Sequence, residues 1–404
     1  MISPIPARSL GVALTLLVAS LASDAQTYSV IHSFAGGPTD GAFANGELIQ
    51  DAAGNLYGTT SEGGTYNDGT VFKLDPGGAV TILHSFDFAD DGVQPEGGLL
   101  RDTEGNLYGT TSQGGHGGHG TVFKLDSDNL FRTLYSFKGG SDGGGPRSRL
   151  VTINGDVYGT TVYGGDLSGC GSSGCGTIFK VSGSTETVLY SFTGGADGAN
   201  PQGLIRDAAG NLYGVAESGG SGAGTVWKLD TNNVFSSLYT FTGGSDGGTP
   251  QGRLVRDEVN GNLRGVTWIG GDPSCNCGVV FSVDASGHET VIHKFFGYGG
   301  SGLPFVGVLD VGGILYGTTS QGGDLDCNND TKPKGCGALY QIGKTGQYTV
   351  LHGFAGSSAG DAYYNILGGL SLGTDGSIYG ATFFGGTGTC RGYPGCGTIF
   401  KYTP

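Results

Sequence analysis

The chain has 404 residues, of which 85 are glycine, and a formal net charge of −15 at neutral pH. Glycine is about three times as frequent as in an average protein, but 19 tyrosines and 20 phenylalanines can still supply a core. The acidic balance, with no cluster of Lys or Arg, argues against nucleic acid and anionic membranes as partners. The composition predicts an all-β protein whose strands are punctuated by glycine.

An apolar segment opens the chain. Arg8 precedes the run SLGVALTLLVASLA, and Ser23 and Ala25 satisfy the small-residue rule for cleavage before Gln26. Because this run is short for a membrane-spanning helix, we interpret residues 1–25 as a secretory signal peptide, with a single membrane anchor as the alternative. Residues 26–404 are then expected to form one exported domain without membrane insertion.

A repeated unit fills the rest of the chain. The motif LYGTT or a close variant is centred on seven residues, which are Tyr57, Tyr108, Tyr158, Tyr213, Arg264, Tyr316 and Tyr379. Consecutive centres lie 50 to 63 residues apart, which is typical of a four-stranded propeller blade. In the fourth copy, four short runs have strand composition: QGLIRD (202–207), LYGVAE (212–217), GTVWKLD (224–230) and VFSSLYTF (234–241). No segment has a sustained 3.6-residue apolar period, so we predict almost no helix.

The two ends of the chain predict how the ring closes. The seventh copy lacks a fourth strand after GTIFKYTP (397–404), whereas TYSVIHSF (27–34) matches the fourth-strand runs of other copies. We therefore predict that the N-terminal strand completes the last blade of a seven-bladed β-propeller with four-stranded blades. Closure removes unpaired sheet edges, and an open solenoid would instead need capping repeats.

The unit NLYGTT…GG…GTVFKLD…LYSF resembles the GloVer tandem-repeat family of exported bacterial proteins over residues 27–404. The resemblance implies a propeller-like fold and export. It does not imply any particular catalytic activity. Members often carry a C-terminal surface-anchoring segment, whereas this chain ends on a blade strand at Pro404. We therefore expect a secreted, extracellular or periplasmic protein.

All eight cysteines lie in the four longest loops between second and third strands. They form the pairs Cys170/Cys175, Cys275/Cys277, Cys327/Cys336 and Cys390/Cys396. Eight cysteines allow 105 pairings, but this locality predicts four disulfides within loops, which an exported protein can keep oxidised. Cys275/Cys277 is the least favourable pair because so small a ring is strained. A zinc site would need four converging ligands, and these pairs lie on four blades, so no metal centre is expected here.

Aspartates recur in the loops that connect one blade to the next. They are Asp40, Asp91, Asp142, Asp197, Asp246 and Asp361. A ring of carboxylates near the axis could hold Ca²⁺. The alternative is that each aspartate accepts backbone N–H bonds in its own turn, and recurrence in six of seven copies favours this structural role. No other cofactor is expected.

Residues that break the repeat are candidates for ligand binding. The aromatic candidates are Tyr163, Trp268, Phe383, Phe384 and Tyr393, and the carboxylate candidates, which follow GG in long loops, are Asp166, Asp272 and Asp324. Exposed rings beside carboxylates suit stacking on a sugar with hydrogen bonds to its hydroxyls. The alternative is packing between neighbouring loops.

Two functions fit this pattern. The first is a monomeric binding or scaffold module for an extracellular polysaccharide or a cell-surface protein. The second is a polysaccharide hydrolase or lyase with its site at the loop-side mouth of the axis, although no G-x-S-x-G, H-E-x-x-H or P-loop motif occurs and no catalytic residue can be assigned. A convergent cluster of non-repeated Asp, Glu, His, Tyr or Arg in that mouth would favour the enzyme, and its absence would favour binding.

Overall fold

A computed structural model of the protein describes residues 26–297, 302–323, 335–356, 362–363 and 368–404. The predicted signal peptide and residues Asp324, Cys327 and Asp361 lie outside these ranges. The described residues form β-strands and two short 3-10 turns, Gly140–Asp142 and Gly171–Ser173, with no α-helix among them. None of their helical segments has the length and hydropathy of a membrane span.

Seven sheets form the blades of a propeller, which confirms the predicted fold. Blade 1 contains β2 (Gly41–Gln50), β3 (Leu56–Gly63), β4 (Thr70–Leu74) and β5 (Val80–Ser85). Blade 2 contains β6 (Leu100–Arg101), β7 (Leu107–Thr111), β8 (Thr121–Leu125) and β9 (Phe131–Ser136). Blade 3 contains β10 (Gly144–Pro146), β11 (Val151–Ile153), β12 (Asp156–Tyr163), β13 (Thr177–Ser182) and β14 (Thr185–Ser191), with β10 and β11 both pairing with β12.

The remaining blades follow the same order. Blade 4 contains β15 (Ala199–Arg206), β16 (Leu212–Ser218), β17 (Thr225–Leu229) and β18 (Phe235–Thr240). Blade 5 contains β19 (Gly248–Arg256), β20 (Leu263–Ile269), β21 (Val279–Val283) and β22 (Glu289–Lys294). Blade 6 contains β23 (Leu309–Val311), β24 (Ile314–Thr319), β25 (Ala338–Ile342) and β26 (Tyr348–Gly353). Beside blade 7, β27 (Ala362–Tyr363), β30 (Phe384–Cys390) and β31 (Tyr393–Gly395) form a small extra sheet.

The N-terminal strand closes the ring as predicted. Blade 7 contains β28 (Ser371–Leu372), β29 (Ile378–Thr382), β32 (Thr398–Thr403) and, as its outermost strand, β1 (Thr27–Ser33). The pairing of β1 with β32 is antiparallel and runs from Thr27 opposite Thr403 to Ser33 opposite Thr398. The first and last strands of the described chain therefore share one sheet.

Aromatic rings link every blade to the next. The phenylalanine after each fourth strand is fully buried and contacts the aromatic residue of the third strand of the following blade, with ring centroids 5.0–5.9 Å apart. The seven pairs are Phe34–Phe72, Phe86–Phe123, Phe137–Phe179, Phe192–Trp227, Phe241–Phe281, Phe295–Tyr340 and Phe354–Phe400. Such pairs add about 0.5–1.5 kcal/mol beyond simple burial. The contact of Phe34 with Phe72 extends this packing across the closure.

The glycine of the LYG motif makes room for the same third-strand rings. Gly109 lies directly opposite Phe123 across the strand pair, and a Cβ on Gly109 would lie 2.4 Å from Cζ of Phe123. The same pairing recurs in all seven blades, for example between Gly214 and Trp227. The glycine of this motif is therefore required because a neighbouring ring leaves no space for a side chain, and not because the chain turns there.

The strand directions define two faces. We call the face with the inter-blade loops and the loops between second and third strands the loop face, and the opposite face the hairpin face. On the hairpin face, the D-x-x-G-N turns are held by the aspartate, as when Asp51 accepts hydrogen bonds from Asn55 N and Nδ2 (2.9 and 2.8 Å) and from Tyr57 Oη (3.0 Å). In blade 5, Arg264 replaces this tyrosine and contacts both Asp257 and Asp310.

Candidate functional site

The first strand of each blade lines the axial channel. One buried apolar side chain in or beside each first strand packs toward the blade core, such as Leu48 in β2 or Leu99 just before β6. The residue before it lines a cavity of about 420 Å³, to which all seven blades contribute. In blade order these residues are Glu47, Gly98, Arg149, Gly203, Arg253, Gly307 and Gly369. Three charges therefore occupy a position where four blades have glycine.

These three charges form one ion-pair cluster, which we call the axial cluster. Oε2 of Glu47 lies 2.8 Å from Nη1 of Arg149 and 3.3 Å from Nη1 of Arg253. Burial opposes ionisation of Glu47, but the charges of Arg253 and Arg149 outweigh burial and lower the pKa of Glu47 below its ordinary value. Glu47 is therefore a fixed counter-ion of the two guanidinium groups.

Paired polar groups surround the loop-face end of the channel. Nε of Arg147 lies 2.9 Å from Oε2 of Glu96, and Nε2 of Gln202 donates to Oε2 of Glu217 at 3.1 Å. Burial raises the pKa of Glu96, although the charge of Arg147 opposes this shift. Gln251 adds a further amide to the same wall.

Two exposed rings form the other wall of this mouth. Trp268 is 39% exposed and Phe305 is 37% exposed, and their ring centroids lie 6.5 Å apart at an interplanar angle of 85°. Trp268 sits near the end of β20, and Phe305 precedes β23. We call the cavity lined by these rings and by the paired polar groups the axial mouth. It offers an apolar edge-to-face platform beside planar hydrogen-bonding groups.

The structure brings one of the predicted aromatic candidates into this mouth. Trp268 lines it, whereas Oη of Tyr163 lies 3.2 Å from Nδ1 of His119 in the neighbouring blade. Phe383 stacks on Phe43, with centroids 4.8 Å apart, and Phe384 meets the same ring edge-on at 5.6 Å. Tyr163, Phe383 and Phe384 thus pack between neighbouring segments.

Neither Asp166 nor Asp272 lines the axial mouth. Asp166 is half-buried and accepts the backbone N–H of Ser168 at 2.8 Å, and Asp272 accepts that of Ser274 at 2.8 Å. Hydrogen bonds from the side chain of that serine, and then from its backbone N–H, lower the pKa of each aspartate. Tyr393 begins β31 but its side chain lies outside the described part of the structure, as does Asp324.

Each described inter-blade aspartate faces a ring seven or eight residues before it. The closest atoms are His84 Nε2 and Asp91 (2.9 Å), Tyr135 Oη and Asp142 (2.9 Å), Tyr190 Oη and Asp197 (3.0 Å), Tyr239 Oη and Asp246 (2.9 Å), and His32 Nε2 and Asp40 (3.5 Å). Four of them also accept backbone N–H groups of their own loop, as Asp142 does from Lys138. Among the residues described, no three His, Cys, Asp or Glu side chains converge on a metal position.

Three predicted disulfides are present. Cys170–Cys175, Cys275–Cys277 and Cys390–Cys396 are bonded, so the pair expected to be least favourable also forms. Cys336 is disulfide-bonded too, while Cys327 lies outside the described residues. Cys175 and Cys396 are fully buried beside the start of a third strand, which ties each loop to its blade.

The sequence reasoning missed most residues of the axial mouth. Glu96, Arg147, Glu217 and Phe305 were not singled out, because exceptions to the repeat were sought in the loops. The missed signal for Glu96, Arg147 and Phe305 lies three residues before the buried apolar residue of the first strand, a position where the copies differ from one another. Aligning the copies on that buried apolar residue would have found it. Glu217 lies instead near the end of β16, the second strand of blade 4.

Comparisons with known proteins agree with the fold. The sequence model of a family described as the Gloeobacter/Verrucomicrobia repeat matches residues 17–172 and 162–331, more than half of the chain. A comparison with curated proteins found no match. Among solved structures, the chain is similar to the extracellular domain of a hybrid two-component system from B. thetaiotaomicron, with a TM-score of 0.57 and 11% identity over 93% of this chain and 39% of that chain.

A second extracellular domain from the same bacterium, of a one-component system, gives a TM-score of 0.55 at 9% identity over 92% of this chain and 39% of that chain. A gluconolactonase from Xanthomonas campestris reaches a TM-score of 0.43 at 13% identity over 73% of this chain and 86% of that chain. The chain thus spans 39% of the length of both extracellular domains. At such identities the likeness concerns the fold alone.

Proposed function

This chain belongs to the Gloeobacter/Verrucomicrobia repeat family, and from that premise we propose that it is an exported binding module whose axial mouth takes a sugar residue of an extracellular polysaccharide. The family and the fold name no ligand, so the proposal depends on the chemistry of the mouth.

One observation carries the proposal: the exposed pair Trp268 and Phe305 faces amide, carboxylate and guanidinium groups across one cavity. A sugar ring has an apolar face of C–H groups and a rim of hydroxyls. The indole of Trp268 would pack on the apolar face, since aromatic side chains provide a large contact area at little entropic cost. Glu217 and Gln251 would then hydrogen-bond to the rim.

Export is supported by two independent features. The predicted signal peptide precedes residue 26, and bonded cysteines persist in oxidising compartments. The similar structures from B. thetaiotaomicron are extracellular domains, which agrees with the proposal that this chain is exported.

Replacing Trp268 tests the proposal directly. A glycan array screened with the mature chain should identify a binding polysaccharide, and Trp268→Ala should weaken that binding about twofold to tenfold, since an aromatic stacking contact is worth about 0.5–1.5 kcal/mol. Phe88→Ala is the matched control, because Phe88 is exposed on the loop face and does not line the mouth. Equal loss in both variants, or no binding to any glycan, would contradict the proposal.

A polysaccharide hydrolase is the second candidate. The sign expected of an enzyme, a convergent cluster of non-repeated polar residues in the axial mouth, is present in part. Non-repeated charges do converge on the axis, but Glu47 is committed to two arginines, which leaves Glu96 and Glu217 as carboxylates able to act on a ligand. The raised pKa of Glu96 suits a proton donor. Product analysis on the bound polysaccharide distinguishes the candidates: turnover that Glu96→Gln abolishes while binding persists would establish the enzyme, and binding without products would establish the module.

A further inference from the structure

The axial channel has a second opening, on the hairpin face. A cavity of about 370 Å³ lies between the ends of the first strands, and Gln50, Arg101 and Ser371 form part of its wall. Its inner end is the axial cluster of Glu47, Arg149 and Arg253, so this cluster separates it from the axial mouth. We call it the hairpin-face cavity.

The charge in this cavity is opposite to that of the molecule. The chain carries a net charge of −15, but three guanidinium groups line the hairpin-face cavity with a single carboxylate, Glu47. Arg149 and Arg253 share that carboxylate, both on Oε2. In the described part of the chain, no carboxylate lies within ion-pair distance of Arg101. Two positive charges therefore lack a counter-ion.

Neighbouring glycines give the axial cluster its space. A Cβ on Gly369 would lie 2.5 Å from Cγ of Glu47, and a Cβ on Gly307 would lie 2.0 Å from the carbonyl oxygen of Arg253. Any larger residue there would displace a charged side chain or its backbone. The inner strands thus leave the arginines room to face the channel, and both arginines line the hairpin-face cavity.

We propose that the hairpin-face cavity is a binding site for an oxyanion, a carboxylate, sulfate or phosphate group, held by Arg101 together with Arg149 and Arg253. Guanidinium groups bind such anions through planar, charge-assisted hydrogen bonds. Each of the inner arginines contacts Glu47 through Nη1, so further N–H donors of its guanidinium stay available. Arg149 and Arg253 border both cavities, but the oxyanion site does not use Trp268 or Phe305 and would persist if no neutral sugar binds in the axial mouth.

Titration of the mature chain with simple anions tests the site. Sodium phosphate, sodium sulfate and sodium glucuronate should each raise the unfolding temperature and give calorimetric binding, whereas sodium chloride at matched ionic strength and glucose should not. The same response to chloride as to the oxyanions would overturn the proposal. Tighter binding of glucuronate would identify an acidic sugar as the source of the group, and tighter binding of phosphate or sulfate would identify a free inorganic anion.

Two variants should shift the affinity in opposite directions. Arg101→Gln removes one exposed donor and should weaken oxyanion binding roughly threefold to tenfold. Its matched control is Arg206→Gln, because Arg206 is the exposed residue at the same strand position in blade 4 but does not line the cavity. Glu47→Gln removes the competing carboxylate and should tighten binding. If Glu47→Gln fails to fold, Arg101→Gln still tests the site. An oxyanion affinity of Arg101→Gln equal to that of Arg206→Gln would refute the proposal.

Discussion

Two glutamates occupy a position that four other blades give to an aromatic ring and blade 1 gives to Val80. Early in the fourth strand, Phe131, Phe235 and Tyr348 stack on a histidine or tyrosine of the preceding blade, with centroids 3.7–4.3 Å apart. Blades 3 and 5 have Glu186 and Glu289 there instead. Oε1 of each is buried without a hydrogen-bond partner among the described residues. Burial first, and then the charge of a neighbouring aspartate, Asp142 or Asp246, raises both pKa values to about 7.

The raised pKa values predict how stability changes with pH. Between the ordinary glutamate value of 4.5 and about 7, the folded chain binds more protons than the unfolded chain, so the free energy of unfolding should fall as pH rises through this window. Glu186→Gln with Glu289→Gln should remove most of this fall and stabilise the protein at about pH 8 by about 1 kcal/mol per site, after allowance for solvent screening, with little effect at about pH 4.

Urea unfolding at several pH values measures this effect. Glu258→Gln is the control for net charge, because its side chain is 88% exposed and the substitution should leave the slope unchanged. A double glutamine variant with the same pH dependence as the parent protein would contradict the prediction.

At the scale of elements, the blade depends on the pairing of glycine with a ring. Alanine usually stabilises a strand relative to glycine by reducing the freedom of the unfolded chain. Gly109→Ala should do the opposite, because its Cβ would force Phe123 away from Phe86 in the preceding blade. Overpacking of this kind costs about 1–3 kcal/mol.

Denaturant unfolding of Gly109→Ala and Gly343→Ala separates crowding from backbone effects. The nearest atom to a Cβ on Gly343 would be 3.8 Å away, so Gly343→Ala should change stability by less than about 0.5 kcal/mol. If Gly109→Ala changes the free energy of unfolding no more than Gly343→Ala does, the ring of Phe123 is not the reason that glycine is needed at position 109.

The sequence predicted elements better than it predicted the site, for a physical reason. Strand composition and turn residues repeat seven times, so an error in predicting the strands of one copy is corrected by the other copies. For example, β16 begins at Leu212, as the motif LYGVAE predicts. The axial mouth instead depends on single exceptions such as Phe305 and Arg147. An alignment of the copies reveals such exceptions, but which of them meet depends on the radial position of the first strand, which no single copy of the repeat encodes.

The whole molecule is held as a ring by the pairing of β1 with β32. Deleting residues 26–34 would remove the outer strand of blade 7 and the contact of Phe34 with Phe72, leaving β32 as an exposed edge. We expect the shortened chain to lose cooperative unfolding and to aggregate, as measured by circular dichroism and size-exclusion chromatography. Adding a peptide of residues 26–36 should restore a monodisperse species, and a scrambled peptide should not. A shortened chain that unfolds as cooperatively as the parent protein would refute this role for β1.

The closure also sets an order of events during synthesis. Among the strands described, ribosomes make β1 first and β32 last, so β1 has no partner until the strands between them have been made. Contacts between residues so far apart in sequence form slowly. A chain interrupted before β32 would leave β1 without its partner, and we expect such a chain to be open to proteolysis at its N-terminal strand.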